Sequence, residues 1–114
     1  MPVRGVRRRY LHFVVEGGSP SELEVWEAIR DSVQSIYGAK GISLMDPNLI
    51  EYVAEARNGI VRCTHDNERR LRASLARVMA ISGKPSAVRV LRSSGTIRTL
   101  RAKEGMEKPK KGRK

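Results

Sequence analysis

The chain has 114 residues, enough for one domain with a modest core, and its formal net charge at pH 7 is +11. Its one cysteine, Cys63, cannot form a disulfide within the chain, and no apolar run approaches the ~20 residues of a membrane helix. We therefore expect a cytoplasmic protein with no signal peptide and no membrane partner, rather than a disulfide-rich secreted one.

The positive charge is concentrated at the two ends of the sequence. Residues 1–9 contain four arginines and no acidic residue, and residues 101–114 contain seven basic residues and two acidic ones. A near-neutral body with two basic arms is typical of a protein that binds a polyanion, and such binding weakens steeply with salt. We predict a basic N-terminal arm over residues 1–9, a domain over residues 10–103 and a basic, disordered tail over residues 104–114.

The first predicted elements are a strand and a long helix. Residues 10–16 are apolar and rich in β-formers, which predicts a strand. Ser19 is placed to cap the following helix, with Pro20 at its first position and Glu22 closing a capping box. The helix is expected to run to about Tyr37, with apolar residues at helical spacing. The predicted buried stripe consists of Leu23, Trp26, Ile29, Val33 and Ile36.

A hairpin is predicted in the middle of the chain. Residues 49–56 form its first strand and residues 60–64 its second. Arg57, Asn58 and Gly59 are the predicted turn, because Asn and Gly both tolerate positive φ.

A second helix and a last strand complete the predicted domain. The helix is expected to begin at Asp66 or Asn67 and to end near Ile81, with Gly83 just beyond its C-terminus. Its inner face is assigned to Leu71, Leu75, Val78 and Met79. Residues 87–92 then form the fourth strand, and a short helix is expected after it.

This order of elements predicts an α+β fold of the ferredoxin-like, RRM-like type, a split βαβ sandwich. Four antiparallel strands would be covered on one face by the two main helices, leaving the other face open. Tyr10 and Tyr52 are the aromatic residues expected to reach the open face, and two rings make a poor platform for stacking bases. We therefore expect recognition of phosphates and shape rather than of a single-stranded sequence.

The richest candidate for phosphate binding is the stretch Val90–Arg101, VLRSSGTIRTLR. Three arginines surround a Ser-Ser-Gly turn at which Gly95 would permit a sharp reversal, and hydroxyls and turn amides lie beside them. Phosphate oxygens accept bonds from all three kinds of donor. The second helix is also basic, whereas the first is acidic. The candidate RNA-binding residues are Arg7, Arg8, Arg9, Arg69, Arg70, Arg92, Ser94, Gly95, Thr96, Arg98 and Arg101.

The same stretch carries a family resemblance. The GTIRT sequence over residues 95–99, placed after the final strand, resembles the small protein subunit of archaeal and eukaryotic ribonuclease P, known in archaea as protein component 2. Residues 9–13, 25–29 and 58–63 resemble that family's opening strand, first helix and central hairpin strand, in the same order. The likeness covers roughly residues 7–103.

The resemblance implies a noncatalytic subunit of the RNA-based enzyme that removes the 5′ leader of precursor tRNA. Its implied partners are the ribonuclease P RNA, precursor tRNA indirectly, and the barrel-shaped protein component 3, with self-association in a two-plus-two assembly. Catalysis would belong to the RNA and its Mg²⁺, and the protein itself would bind no cofactor. The acidic first helix suits a protein partner, and the basic second helix suits RNA.

Two other functions fit parts of the sequence. A structural RNA-binding protein of ribosomal or chaperone type suits the composition equally well. A small acylphosphatase-like enzyme fits less well, because Arg4 precedes the first strand instead of following it, although Asn58 is available. We predict no catalytic residue and no metal ligand set, since His12, Cys63 and His65 are too few for a zinc site and lack its recognisable spacing.

Overall fold

The structure is a computed structural model that describes residues 7–104, with side chains described for residues 7–100. Six strands and three α-helices follow one another along these residues, and a 3₁₀ turn over His65–Asn67 precedes the second helix. The elements are β1 (Arg8–Glu16), α1 (Glu22–Met45), β2 (Asn48–Val53), β3 (Asn58–Thr64), α2 (Glu68–Ala76), β4 (Ala80–Ile81), β5 (Lys84–Pro85), β6 (Ala87–Ser94) and α3 (Ile97–Glu104).

Four of the strands form one antiparallel sheet in the order β2-β3-β1-β6, and β4 and β5 form a small second sheet. Strands β1 and β3 lie side by side at the centre. Helix α1 follows β1 and leads to the edge strand β2, and helix α2 follows β3 and precedes the other edge strand, β6. This is the split βαβ arrangement of the ferredoxin-like fold, and it confirms the predicted fold class, including the short C-terminal helix. No helix in residues 7–104 is long and apolar enough to cross a membrane.

The main core lies between one face of this sheet and helices α1 and α2. Leu11, Phe13 and Val15 alternate along β1 and are buried on this face, as expected for a central strand. The helices contribute Val25, Ile29, Val33, Leu71 and Leu75. Burying this apolar area is the main force that holds the helices on the sheet.

The second face of the sheet is partly covered by α3, although the sequence predicted that it would be open. His12 and Ile60 lie opposite each other on β1 and β3, alternate with the residues of the main core, and are both buried. Leu100 of α3 is also fully buried, and α3 contacts β1 and β6. The short C-terminal helix therefore supplies a second, smaller apolar layer.

Helix α1 begins two residues later than predicted. Its N-cap is Ser21, whose Oγ accepts a bond from the Glu24 backbone N–H at 3.3 Å, while Glu24 Oε1 accepts one from the Ser21 N–H at 2.8 Å. The capping box assigned to Ser19 and Glu22 was therefore wrong, because the same pattern of serine and glutamate recurs two positions later. Pro20 lies ahead of the helix and is buried.

The buried stripe of α1 also differs from the predicted one. Leu23 is 63% exposed, and Val25 takes the core position instead. Trp26 is half-buried against the core. Gly38 has a φ of 76°, which interrupts the helix where an end was expected, and the chain then continues as helix to Met45.

The turn of the central hairpin lies at residues 54–57; it includes Arg57 of the predicted turn but not Asn58 and Gly59. Both of those residues belong to β3, and Gly59 stands opposite Tyr52 on one side and Phe13 on the other. Tyr52 consequently faces the main core and not the second face, which corrects its predicted position.

Helix α2 ends at Ala76, several residues before the predicted end. Ala80 and Ile81 instead pair with the next residues in a tight hairpin whose turn is Ser82 and Gly83, both at positive φ. This is the geometry of a type I′ turn, so Gly83 does not cap a helix. Met79, predicted to be on the inner face, is exposed.

The predicted N-terminal arm overlaps the first strand of the sheet. Arg8 and Arg9 are the first residues of β1, so the sheet begins two residues before the predicted start at Tyr10. Residues 1–6 and 105–114, with most of the predicted arm and tail, lie outside the described residues.

Candidate nucleic-acid interface

The centre of the site is a carboxylate, Glu68, held between two arginines. Arg9 Nε donates to Glu68 Oε1 at 2.9 Å, and Arg72 Nε donates to Glu68 Oε2 at 3.1 Å. Ser93 Oγ donates to Oε2 at 2.8 Å and accepts from the terminal nitrogens of both arginines, at 3.2 and 3.3 Å. This network, called here the Glu68 cluster, joins β1, α2 and β6.

The pKa of Glu68 is lower than its ordinary value. Burial alone would raise it, but the hydrogen bonds from Ser93 and Arg72 and the charges of Arg9 and Arg72 outweigh burial. Glu68 is therefore ionised at neutral pH, and the cluster carries one net positive charge.

A second group of predicted residues meets beside the start of α2. Arg7 and Arg70 border the same surface hollow, together with His65 and Asn67. Arg70 Nη1 donates to Asn67 Oδ1 at 2.9 Å, and the Arg7 carbonyl accepts from the His65 N–H at 2.7 Å. Arg69 lines an adjoining hollow with Arg70 and Arg72. The exposed face of α2 is thus basic over its first half, from Arg69 to Arg72.

The GTIRT stretch is the start of helix α3. Thr96 is positioned to cap the helix: its Oγ1 accepts from the Thr99 N–H at 3.1 Å, the pattern of an N-cap side chain. Ser94 is buried in β6, and its Oγ accepts from the Thr96 N–H at 3.4 Å. These two hydroxyls, predicted as phosphate ligands, are thus occupied in shaping the end of the strand and the start of the helix.

Gly95 does not make the sharp reversal that the sequence predicted. It is not among the glycines with positive φ, and a Cβ built there would meet only Arg9 Nη1, at 3.7 Å. Gly95 is exposed, and the Arg9 guanidinium lies directly beside it. Because Gly95 has no side chain, it leaves the Arg9 guanidinium uncovered on this side.

The other predicted arginines are spread over several surfaces. Arg98 is exposed in the first turn of α3, and Arg101 follows it one turn later in the same helix. Arg92 is exposed on β6 opposite His12, on the second face of the sheet. Arg8 turns toward the end of α1, where its Nη1 donates to Asp46 Oδ2 at 3.2 Å. The predicted residues therefore form no single pocket.

The residues considered for a metal or nucleophilic site do not converge. Cys63 is packed in the main core, and burial, followed by the charge of Glu68, raises its pKa to about 12. His65 stands in the 3₁₀ turn that follows β3, whereas Cys63 lies within β3. Among the described residues, no group of three or more His, Cys, Asp or Glu side chains is placed to hold a metal ion.

An exposed apolar surface lies on the opposite part of the fold, between α1 and the edge strand β2. Leu23, Trp26 and Leu49 line a shallow hollow there, bordered by Glu22 and Asn48. Glu22 is the acidic residue at its border, whereas Glu24, Glu27 and Asp31 line a separate hollow between α1 and residues 77–80. Large apolar side chains exposed at the surface are typical of a protein contact.

Comparison with known protein families identifies the family of this chain. The model described as the Rpp14/Pop5 family matches residues 9–104. The chain belongs to the Rpp14/Pop5 family. This confirms the resemblance found in the sequence and the prediction of a ribonuclease P protein subunit.

Similar proteins agree with this membership. The chain is 35% identical over 103 residues to ribonuclease P protein component 2 of Methanocorpusculum labreanum, covering 90% of the chain and 69% of that relative. It is 34% identical over 98 residues to the Pyrococcus horikoshii protein of the same name, covering 85% and 82%. It is 33% identical over 113 residues to the Aeropyrum pernix protein of the same name, and this match covers 96% of the chain and 92% of that relative.

A solved structure supports the fold. One chain of the cryo-EM structure of yeast ribonuclease MRP matches this structure with a TM-score of 0.67 and 13% sequence identity, and the match covers 88% of each chain. The similarity of shape is therefore much greater than the similarity of sequence.

Sequence reasoning did not include Glu68, Arg72 and Ser93 among the site residues. The spacing of Glu68 and Arg72 on one helix was a visible signal, because side chains four residues apart are neighbours. The contact of Glu68 with Arg9 spans 59 positions, so no local pattern could have indicated it.

Proposed function

We propose that this chain is a noncatalytic, cytoplasmic subunit of ribonuclease P that binds the RNA of the enzyme and supports removal of the 5′ leader from precursor tRNA. The observation that carries the proposal is the family match over residues 9–104. The relatives that the chain resembles over most of their length are named as protein components of that enzyme.

The charge distribution supports a role in binding RNA through its backbone. The exposed face of α2 is basic from Arg69 to Arg72, and Arg9 of the Glu68 cluster lies beside Gly95, just ahead of α3. We propose the candidate RNA contacts on α2, on this cluster and on the first turn of α3, which together are called here the α2 surface: Arg7, Arg9, Arg69, Arg70, Arg72 and Arg98. Helix α3 partly covers the second sheet face, where related folds stack bases, which favours phosphate contacts.

The chemistry of cleavage is assigned to the RNA. A ribozyme fold brings many phosphates close together, and Mg²⁺ must offset their repulsion. Arginines that dock on phosphates release counterions and reduce the same repulsion. We therefore propose that the subunit lowers the Mg²⁺ concentration at which the RNA reaches its active fold, and that Mg²⁺ serves the RNA and not the protein.

A protein partner is proposed for the hollow between α1 and β2. Leu23 is the most exposed apolar residue beside it, and a hollow lined by Leu23, Trp26 and Leu49 suits an apolar protein contact better than RNA. The resemblance implies that this partner is protein component 3. Self-association into a two-plus-two assembly is proposed on the resemblance alone, with no surface assigned to it.

The RNA proposal is tested by titrating a transcribed ribonuclease P RNA with the protein at several salt concentrations. The variant Arg7→Ala/Arg69→Ala/Arg98→Ala removes three exposed charges from the α2 surface, and Arg30→Ala/Lys40→Ala/Lys84→Ala removes three exposed charges elsewhere. Each lost phosphate contact should reduce the slope of log K against log salt by about 0.7 to 0.9. The first variant should lose affinity and slope, and the second should lose much less. Equal losses would mean that only net charge matters.

A further inference from the structure

Glu68 is the one acidic residue of helix α2, yet it lies at the centre of the basic surface and is only 24% exposed. A carboxylate in that place should repel RNA. We propose that it does the opposite: Glu68 and Ser93 hold Arg9 and Arg72 as a two-pronged site for one phosphate of an RNA backbone. This inference rests on the proposed function and names a contact within it.

The geometry of the cluster fixes both guanidinium groups. Each arginine uses its Nε to reach Glu68 and one terminal nitrogen to reach Ser93, at distances from 2.9 to 3.3 Å. Ser93 can do this because a hydroxyl accepts two bonds while donating a third, here to Glu68 at 2.8 Å. All the acceptors of the cluster therefore serve to orient the two arginines.

Donors remain for a ligand. A guanidinium has five N–H groups, and each arginine uses two of them in the four bonds to Glu68 and Ser93. The side chains of Arg9 and Arg72 are 26% and 43% exposed, so both remain partly open to solvent. Arg9 Nη1 lies 3.7 Å from the place of a Cβ on Gly95. With glycine there, a phosphate can approach Nη1 over bare backbone.

Preorganisation is the physical advantage of this arrangement. Two free arginine side chains lose rotamer freedom when they clamp a phosphate, and they repel each other as they meet. In the cluster, Glu68 has already ordered them and offset their repulsion. One net positive charge with fixed donors remains, which suits a phosphate oxygen pair.

The proposal makes a prediction whose sign is opposite to that of simple electrostatics. Replacing Glu68 by glutamine removes a negative charge from the RNA-binding surface, so charge alone predicts tighter binding. If Glu68 positions Arg9 and Arg72, Glu68→Gln should weaken binding of the ribonuclease P RNA by about fivefold to tenfold, because both arginines must then be ordered by the ligand.

Asp66 provides the matched control. It lies two residues away, borders the same hollow as Arg69 and Arg70, and its side chain is 95% exposed. Asp66→Asn removes the same charge without touching the cluster, so it should bind the RNA as tightly as the wild type or slightly more tightly. Circular dichroism and thermal unfolding establish that each variant is folded at the temperature of the titration.

Ser93→Ala is the second variant, in case Glu68→Gln does not fold. It keeps every charge and removes only the hydroxyl that orders the arginines, so it should also weaken binding while leaving the net charge unchanged. If the folded variant, Glu68→Gln or else Ser93→Ala, binds as tightly as Asp66→Asn, the cluster is a structural link only and the inference fails. If the wild-type protein does not bind the RNA at all, the proposed function fails instead.

Discussion

The ring of Tyr52 stacks on the ring of Phe13 across the backbone of Gly59, with centroids 6.3 Å apart and planes inclined by 16°. Gly59 stands between the two residues in neighbouring strands of the sheet. A side chain at this position would enter the space of the Tyr52 ring, whose Cδ1 would lie 3.1 Å from its Cβ. The glycine therefore allows the edge strand β2 to pack on the core.

The first prediction concerns this glycine. Gly59→Ala should reduce the free energy of unfolding by about 2 kcal/mol, because its Cβ would press on the backbone of Glu51 and on Tyr52. Urea unfolding measures the change. Gly95→Ala is the control, since its φ is not positive and its Cβ has space, and it should leave the stability nearly unchanged. Equal stability of the two variants would contradict the packing account.

The second prediction separates the structural role of Thr96 from a role in binding. Thr96→Ala removes the side chain that accepts from the Thr99 N–H, and loss of such an N-cap costs about 1 kcal/mol. Thermal unfolding should show this loss, and Thr96→Ser should restore it, because serine keeps the capping oxygen. A variant with unchanged stability but weakened RNA binding would place Thr96 in direct contact with RNA.

The third prediction concerns acid. The pKa of Glu68 is lower in the fold than its ordinary value of 4.5, so its ionised form stabilises the fold. That contribution is complete above the ordinary pKa and is lost as the pH falls through the lowered pKa of the folded state. The wild type should lose more stability than Glu68→Gln between neutral pH and an acidic pH below that range, as followed by urea unfolding. Parallel losses would show that Glu68 is not the titrating group.

The fourth prediction tests the protein-binding hollow. Leu23→Ser should weaken binding of protein component 3 and leave the affinity for RNA unchanged, because Leu23 is exposed between α1 and β2, away from α2. Leu44→Ser is the control, since Leu44 is 62% exposed against 63% for Leu23 but does not line that hollow. Calorimetric titration with the partner distinguishes them. Equal weakening by both variants would mean that general hydrophobicity drives the association.

The elements and the fold class could be predicted because local signals decide them. Apolar residues alternate along β1 and recur at helical spacing along α1, and these two periodicities identify the strand and the helix. The errors came where two local patterns compete. Serine and glutamate occur twice in the capping spacing, and the two hydrogen bonds between Ser21 and Glu24 show which pair is used.

The hairpin turns show the same limit. Asn58 and Gly59 carry the strongest turn signal in the sequence, but the glycine is needed in the strand to make room for Tyr52. The apolar residues after α2 continue at helical spacing, yet Ser82 and Gly83 form a tight turn that pairs Ile81 with Lys84. At Gly59 a tertiary contact overrides the local preference, and after α2 a local turn signal overrides the helical spacing.

The sequence could predict which basic residues belong to the candidate site, but not how they are arranged. The arginines around β6 and on α2 were visible in the sequence, and Arg9 was among them. That Arg9, Glu68 and Ser93 meet depends on the pairing of β1 with β6 and on the packing of α2, which one sequence does not specify.

The most direct test of the whole account is cleavage of precursor tRNA at limiting Mg²⁺, with a ribonuclease P RNA and protein component 3, in the presence and absence of this chain. The account predicts that removal of the 5′ leader depends on the chain and that Arg7→Ala/Arg69→Ala/Arg98→Ala supports it less well than Arg30→Ala/Lys40→Ala/Lys84→Ala. Cleavage that is unchanged by the chain, even while the chain binds the RNA tightly, would contradict the account and indicate a general RNA-binding protein.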